Sequence, residues 1–323
     1  MASKCQGIAL LTVLLMVALA SIAAATLLKR QVNSMQAVNY LQQQNQALLY
    51  AMSAENFLQA LLLNDMENSA DVDHQHEIWA KPMPVFPIEN GYIQGVLEDQ
   101  SGRFNLNCLL DAQGQVNQAA KIWFEQLLTR VGLPAELSQA VIDWQDSDDQ
   151  VMGAMGAESA YYQGLPQHYL PANHYFYSIE ELKQVRGFEG DKFNLIAPYV
   201  AANPNIASRV NINMATAVVL ASLSDSLDLV MIQNELDQRK QNLQYFKNVN
   251  ELWALKSFSA MDNRLKQQFI GLLTVQSDYF QARIEVTLAN TTRQWTSYLV
   301  KKNHHIDVAY RSLTPFNTIS SNK

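Results

Sequence analysis

Between Asp143 and Asn173 the sequence DWQDSDDQVMGAMGAESAYYQGLPQHYLPAN gathers Asp143, Asp146, Asp148, Asp149 and Glu158, the densest acidic cluster in the chain. Brought together without a cation these carboxylates repel one another. With one, their hard oxygens suit Ca²⁺, which takes about six to eight oxygen ligands from carboxylates, amides, carbonyls and water. The spacing is not that of an EF-hand. With Asp146 as the first position, the sixth is Val151 and the twelfth Ala157, where glycine and glutamate are needed. The same run also reads as a solvated acidic loop after a helix ending near Trp144, since charge clusters often face water. His74 and His76, near Asp71, Asp73 and Glu77, lack a rigid element to fix a transition-metal geometry and read as a polar connecting loop, as does His304-His305 in a strand turn. Cys108, amid Leu106, Leu109 and Leu110, reads as a buried thiol, and Tyr161 and Tyr162 as packing for the acidic loop. The chain has no Gly-x-Ser-x-Gly elbow, Walker loop, dinucleotide fingerprint, His-Glu-x-x-His helix or paired-cysteine zinc spacing. Without a convincing acid–base or nucleophile–base pair, the expectation is a protein that is not an enzyme.

The elements that must carry this loop begin at the N-terminus. The 323 residues are 48% hydrophobic and 16% charged, enough for a real core, and the net charge of −7 disfavours nonspecific attraction to phosphates or anionic lipid. Ile8 to Leu28 is a run of 21 residues without charge or proline. At about 1.5 Å per residue it matches a bilayer core of roughly 30 Å, so a membrane-spanning helix is expected. No Gly or Pro follows until Pro82, and apolar residues recur at Val38, Leu41, Leu48, Leu49, Met52, Phe57, Leu58, Leu61 and Leu62. That pattern extends the span into water as one amphipathic rod. Ahead of it, MASKCQG carries Lys4 and ends in Gly7; a short basic leader ending in glycine before an apolar helix resembles a prepilin leader. The resemblance implies cleavage after Gly7 and methylation of the new N-terminal Ile8 by a prepilin peptidase, leaving one cysteine, Cys108. Most prepilins have glutamate at the fifth mature position, which here is Thr12. Without the resemblance, Gly7 is a chance glycine before a plain anchor.

Residues 64–90 read as a connecting loop, and GYIQGVLEDQSGRFNLN as two short strands forming a hairpin around Gln100-Ser101-Gly102. Tyr279–Leu288, Gln294–Val300 and Ile306–Arg311 read as three more strands, while residues 111–273 are helix-like throughout. The economical arrangement is α+β: a long N-terminal helix packed on one antiparallel sheet, interrupted by an all-helical insertion. The insertion repeats itself. Phe176-Tyr-Ser-Ile-Glu-Glu-Leu-Lys-Gln-Val-Arg-Gly-Phe188 parallels Phe246-Lys-Asn-Val-Asn-Glu-Leu-Trp-Ala-Leu-Lys-Ser-Phe258, and Asn105-Leu-Asn107 parallels Asn211-Ile-Asn213. Asn105 and Phe176 stand 71 positions apart, Asn211 and Phe246 only 35, so the first copy holds 36 more residues, most of them in the acidic segment. Ser178 and Asn248 precede Glu181 and Glu251 by three residues, a capping-box spacing that starts a short helix in each copy. The repeated element is similar to helix-hairpin-helix DNA-binding modules. Charge opposes that reading, because residues 111–273 hold 12 Lys plus Arg against 18 Asp plus Glu. Ser257 also replaces the flexible Gly187 in the second copy.

Taken together, the leader, the missing glutamate at Thr12, the interrupted sheet, the D-W-x-D-x-D, G-A-E, Tyr-Tyr and P-A-N elements and the two repeats resemble the K minor pseudopilin of type II secretion systems. The resemblance covers nearly the whole chain. It implies a leader at 1–7, a transmembrane and amphipathic helix at 8–63, a pilin-like sheet from 64–110 and 274–323, and a helical insertion at 111–273. It implies Ca²⁺ bound within 143–173, with Asp146, Asp148 and Glu158 as the leading ligands, Asp143 and Asp149 next, and Asn173 as an amide ligand. It further implies a single-pass protein of the bacterial inner membrane with its C-terminal domain in the periplasm. There it would sit at the pseudopilus tip with the I and J minor pseudopilins, on the inner-membrane platform of the secretion system. Competing readings are a minor pilin of a type IV system, which usually keeps the glutamate, and a membrane-anchored periplasmic protein or enzyme.

Overall fold

A computed structural model describes residues 6–68, 72–289, 291–302 and 305–316. Residues 1–5 of the expected leader, Asp71 and His304 lie outside them. Helix α1 runs unbroken from Gln6 to Asn68, past the expected end at Leu63. Its apolar first half satisfies every interior backbone group within the helix, as a bilayer requires. The side chains from Ile8 to Leu28 lie uncovered, and this is the one helix among the described residues long and apolar enough to cross a membrane. The hydroxyl of Thr12 donates to the carbonyl of Ala9 at 2.9 Å, so the residue adds no charge to the span.

The second half of α1 packs on a five-stranded antiparallel sheet in the order β1-β2-β7-β8-β9. Its strands are β1 (Phe86–Ile88), β2 (Gly91–Asp99), β7 (Tyr279–Leu288), β8 (Thr291–Lys302) and β9 (His305–Ser312). The buried stripe of α1 is Ala47, Ala51, Ala54, Leu58 and Leu62, set against Ile93, Leu97, Phe280, Ala282, Ile284 and Val286. Three alanines let the sheet approach closely. Of the larger residues that make the helix look amphipathic in sequence, Leu58 and Leu62 join this stripe, while Val38, Leu41, Leu48, Leu49, Met52 and Phe57 point outward. The stripe also carries buried Glu55, which accepts from Nη2 and Nε of Arg311 at 2.7 and 2.9 Å, from the Trp295 indole N–H and from the Ser297 hydroxyl. Burial pushes this carboxyl up, but those donors and the arginine charge outweigh it and hold it below the usual carboxylate range.

The insertion leaves the sheet after Asp99 and returns at Tyr279, and the expected hairpin around Gln100-Ser101-Gly102 does not form. Strand β2 pairs with β1 and β7, while the chain turns away and β3 (Phe104–Asn105) runs parallel to β4 (Val200–Ala201). The turn is closed by Asp99, whose Oδ1 accepts the Gly102 N–H at 2.6 Å. Phe104 is then drawn into the helical core, stacked on Phe124 at 5.3 Å and edge-on to Trp123 at 5.5 Å. Burying an aromatic ring there outweighs the ladder bonds that a short hairpin would add. Since Phe104, Leu106 and Leu109 all lie in the insertion core, that unit begins ahead of residue 111.

Both copies of the repeat share one plan. The first runs β3, α2 (Gln118–Arg130), α3 (Leu137–Asp143), α4 (Ser159–Gln163), α5 (Asp191–Ile196) and β4. The second runs β5 (Val210–Asn211), α6 (Ala217–Ala221), α7 (Leu229–Gln241), α8 (Asn250–Trp253), α9 (Asn263–Phe269) and β6 (Leu273–Thr274), with β5 and β6 again parallel. In the first copy the Asn107 side chain donates to the Phe176 carbonyl at 2.9 Å and accepts the Phe176 N–H at 2.8 Å. In the second, Asn213 makes the same pair of bonds to Phe246 at 3.0 and 2.7 Å. The copies meet through α2: the Trp123 indole donates to Val219 O and to the Ser222 hydroxyl, and Arg130 to the carbonyls of Ala221, Ser224 and Leu227. The expected capping box forms at Ser178 and Glu181. In the second copy it does not close, and Glu251 reaches back to the Lys247 N–H instead.

Candidate metal centre

The acidic loop leaves the C-terminal end of α3, where Asp143 is fully buried, and its far end is pinned by the Asn173 N–H donating to the Trp144 carbonyl at 3.0 Å. Aromatic packing fixes the floor. Tyr162 on α4 is wholly buried, edge-on to Trp144 at 5.3 Å and to Tyr161 at 5.2 Å.

Within this frame Asp143, Asp146 and Glu158 converge, each offering a carboxylate oxygen within 4.8 Å of the others. Asp143 arrives from the helix, Asp146 from the turn after it, and Glu158 from the residue before α4. Glu158 is 1% exposed, and neither of its oxygens has a hydrogen-bond partner among the described residues. One oxygen of Asp146 is buried and unpartnered in the same way. Burial pushes Glu158 up to about 8, with Asp143, Asp146, Asp149 and Asp148 adding repulsion. Burial, then Asp148 and Asp143, push Asp146 up to about 6. Asp143 is also raised by burial, partly offset by the N–H groups of Met152 and Ala157. An ionised buried carboxylate without a donor is strongly unfavourable, and a hard cation at the meeting point would supply what the chain does not. Three carboxylates with free oxygen lone pairs therefore fit Ca²⁺ chemically.

The other candidates lie apart from this group. Asp148 is exposed and accepts the Gln150 N–H at 2.7 Å; Asp149 is exposed and accepts the Ser159 N–H at 3.2 Å. The Asn173 side chain is exposed, on a backbone with φ of +49°. Gly7 and Ile8 lie in the first turns of α1. A second carboxylate group, Asp65, Asp73 and Glu77, also converges. The chain itself supplies donors here: Lys301 pairs with Asp73 at 2.8 Å, and Glu77 accepts the His74 N–H and the Trp79 indole, although burial still pushes Glu77 up to about 7. The His74 ring lies against Tyr245, tilted by 30° with centroids 3.9 Å apart, consistent with a packed connecting loop. Burial pushes the Cys108 thiol up to about 12, which leaves it protonated and inert.

Comparison with known proteins follows the same division. Two family models, both described as type II secretion system protein K, match residues 102–205 and 210–275, one for each copy of the repeat. The type II secretion system protein K of Aeromonas hydrophila is 30% identical over 95% of this chain and 96% of its own length. That of Pseudomonas aeruginosa is 34% identical over 72% of each chain. A chain in the crystal structure of the GspK-GspI-GspJ complex from the enterotoxigenic Escherichia coli type 2 secretion system superposes with a TM-score of 0.78. It is 25% identical, and the match covers 86% of this chain and 99% of that one. A long helix on a split sheet, a twofold helical insertion and near full-length similarity agree: the chain belongs to the protein K family of type II secretion systems, as a minor pseudopilin.

Proposed function

We propose that this minor pseudopilin caps the pseudopilus, joined to the I and J minor pseudopilins, and that a Ca²⁺ ion held by Asp143, Asp146 and Glu158 orders its insertion domain. The reading of the tip rests on shape. An insertion spanning Gln100 to Asp278 broadens one end of a slender helix-and-sheet subunit, and a widened subunit packs poorly inside a filament. Below that end, Leu41, Leu48, Leu49 and Met52 form an uncovered apolar face on α1, suited to neighbouring pseudopilin helices once extracted from lipid. The relative of known structure is a complex with I and J subunits, which supports the same partners here. The prepilin peptidase would cleave after Gly7 and methylate Ile8, with α1 in the inner membrane, the body in the periplasm and the inner-membrane platform driving assembly. Thr12, lacking a carboxylate, suits a subunit that has no preceding subunit's N-terminal amine to neutralise.

The calcium reading is carried by the two unpartnered oxygens of Glu158. Ordering some thirty residues of irregular loop costs conformational entropy, and a cation that binds only the folded loop offsets it. Within this reading Asp143, Asp146 and Glu158 supply carboxylate oxygens, while the ion neutralises their mutual repulsion. Mass spectrometry of the protein recovered from membranes tests the first part: an N-terminus at methylated Ile8 is expected, and a chain still starting at Met1 contradicts pseudopilus assembly. Replacing Gly7 with leucine should block that trimming. Metal analysis of the purified full chain tests the second part: about one equivalent of calcium or more is expected, and none contradicts it.

A further inference from the structure

The acidic loop is fastened to α3 at two points, and only one of them belongs to the carboxylate group. Gln139 and Asp143 stand four residues apart and so share one face of the helix. Gln139 Oε1 accepts the Met155 N–H at 2.9 Å. Its amide also lies directly over Gly153, where a Cβ would meet the Gln139 oxygen, carbon and nitrogen at 2.7, 2.8 and 2.8 Å; φ there is +62°. One turn further on, Asp143 Oδ2 accepts the Ala157 N–H at 2.8 Å, and both its oxygens share the Met152 N–H. A Cβ on Gly156 would come within 2.3 Å of Asp143 Oδ2. From the opposite side Arg186 donates to the Gly156 carbonyl at 2.8 Å while lying over the Tyr161 ring. The turn from Met152 to Ala157 is thus shaped by backbone bonds to groups outside it, and the next residue is Glu158.

We propose that Gln139 is a positioning residue: it holds the 152–157 turn closed in the cation-free protein, so that Glu158 is presented to Asp143 and Asp146 before an ion arrives. This rests on the calcium reading above. Gln139 touches no carboxylate of the group and would set affinity only through the fraction of molecules whose loop is already closed, because apparent affinity falls in proportion to that fraction. Asp143 fastens the turn as well, but its carboxylate is also a ligand candidate, so Gln139 isolates the effect.

The test uses the full-length, detergent-solubilised chain with Gln139→Met, which keeps the volume and removes the acceptor, and Gln139→Glu, which keeps both. Calorimetric Ca²⁺ titration is paired with amide hydrogen exchange at Met155 in EGTA. The cation-free wild type should protect the Met155 amide. Gln139→Met should lose that protection and bind Ca²⁺ about tenfold more weakly at unchanged stoichiometry, the effect of one hydrogen bond. Gln139→Glu should retain both protection and wild-type or tighter binding. Fast Met155 exchange in the cation-free wild type overturns the proposal. So does a Gln139→Met protein that binds within about twofold of wild type while its melting temperature falls equally with and without Ca²⁺, the pattern of a purely structural contact. A wild type that protects Met155 yet takes up no Ca²⁺ overturns the calcium reading, and the inference with it, while leaving the fastening of the turn standing.

Discussion

The two copies of the repeat close with the same atoms and enclose different things. Asn107 locks both backbone groups of Phe176, and Asn213 locks those of Phe246, although the chain between lock and key is far longer in the first copy. The excess length buries Glu158 with no donor for either oxygen. In the second copy half-buried Glu235 on α7 has chain donors for both of its oxygens. It accepts the Lys256 N–H at 3.1 Å, the Ser257 N–H at 3.4 Å and the Ser257 hydroxyl. The residues equivalent to Lys256 and Ser257 in the first copy are Arg186 and Gly187; their N–H groups go to the Tyr162 hydroxyl and to Glu189. Where the fold supplies donors a carboxylate is structural cement, and where it withholds them from buried Glu158 the proposed cation is the partner. One scaffold shows both cases.

Breaking the shared lock should give the largest effect, and an unequal one. Asn107 is completely buried and makes a third bond to the Asn203 carbonyl at 3.0 Å; truncation would leave the buried Phe176 N–H and carbonyl without partners and Asn203 O with only the Asn105 amide at 3.4 Å. At roughly 1–3 kcal/mol per unsatisfied buried group, Asn107→Ala should cost on the order of 4 kcal/mol. Asn213 is half-buried with two such bonds, so Asn213→Ala should cost about 2 kcal/mol. Urea midpoints of the two variants measure the difference, and equal losses would mean that the longer excursion is held by other contacts.

The unequal carboxylates can be separated by calcium. At 100 times its dissociation constant a bound ion adds about 2.7 kcal/mol, so EGTA should lower the melting temperature and Ca²⁺ restore it. Glu158→Gln should abolish the response and, by removing a repelled charge, stabilise the chelated protein. Glu235→Gln should leave the response intact. Acidity gives the same contrast. The folded pKa of Glu158 is raised to about 8 from a usual 4.5, so the stability linked to its proton is complete below about 4.5. In EGTA that stability should be lost as pH rises through about 8. Melting temperatures across that window should fall in the wild type and flatten in Glu158→Gln.

How much of this was legible in the sequence varied with the range of the contacts. The acidic cluster announced itself by charge, and β7 to β9 by alternation, because both signals are local. The repeat was visible through Phe, Glu and Leu, but the residues that close it are the second asparagines of Asn105-Leu-Asn107 and Asn211-Ile-Asn213, whose partners lie 69 and 33 positions away. Nothing nearby in sequence marks Gln139, which acts on a backbone N–H 16 residues on. In the sequence Asp148 ranks ahead of Asp143, and Asp149 level with it, because charge density does not record which side chains bend back to accept N–H groups of their own loop. On α1 Leu58 and Leu62 are legible as sheet-facing residues, but the three alanines that complete the stripe are not, since hydrophobicity alone does not reveal which of two apolar faces permits close approach.

The hairpin residue that distinguishes the copies gives the smallest pair of effects. Gly187 has φ of +89°, and a Cβ there would stand 2.3 Å from Cδ2 of buried Leu137. A left-handed backbone costs an L-residue roughly 1–2 kcal/mol, and displacing Leu137 adds to it, so Gly187→Ala should cost about 2 kcal/mol. Ser257 occupies the equivalent turn without a positive φ and uses its hydroxyl on Glu235. Ser257→Gly therefore gains no conformational relief; it forfeits one hydrogen bond to a charged group that keeps two backbone donors, a loss of about 1 kcal/mol. Thermal melts in saturating Ca²⁺ compare the two directly. A Ser257→Gly protein less stable than Gly187→Ala would show that the second hairpin depends on its serine more than the first depends on its glycine. The two turns would then be built on different principles despite their common lock.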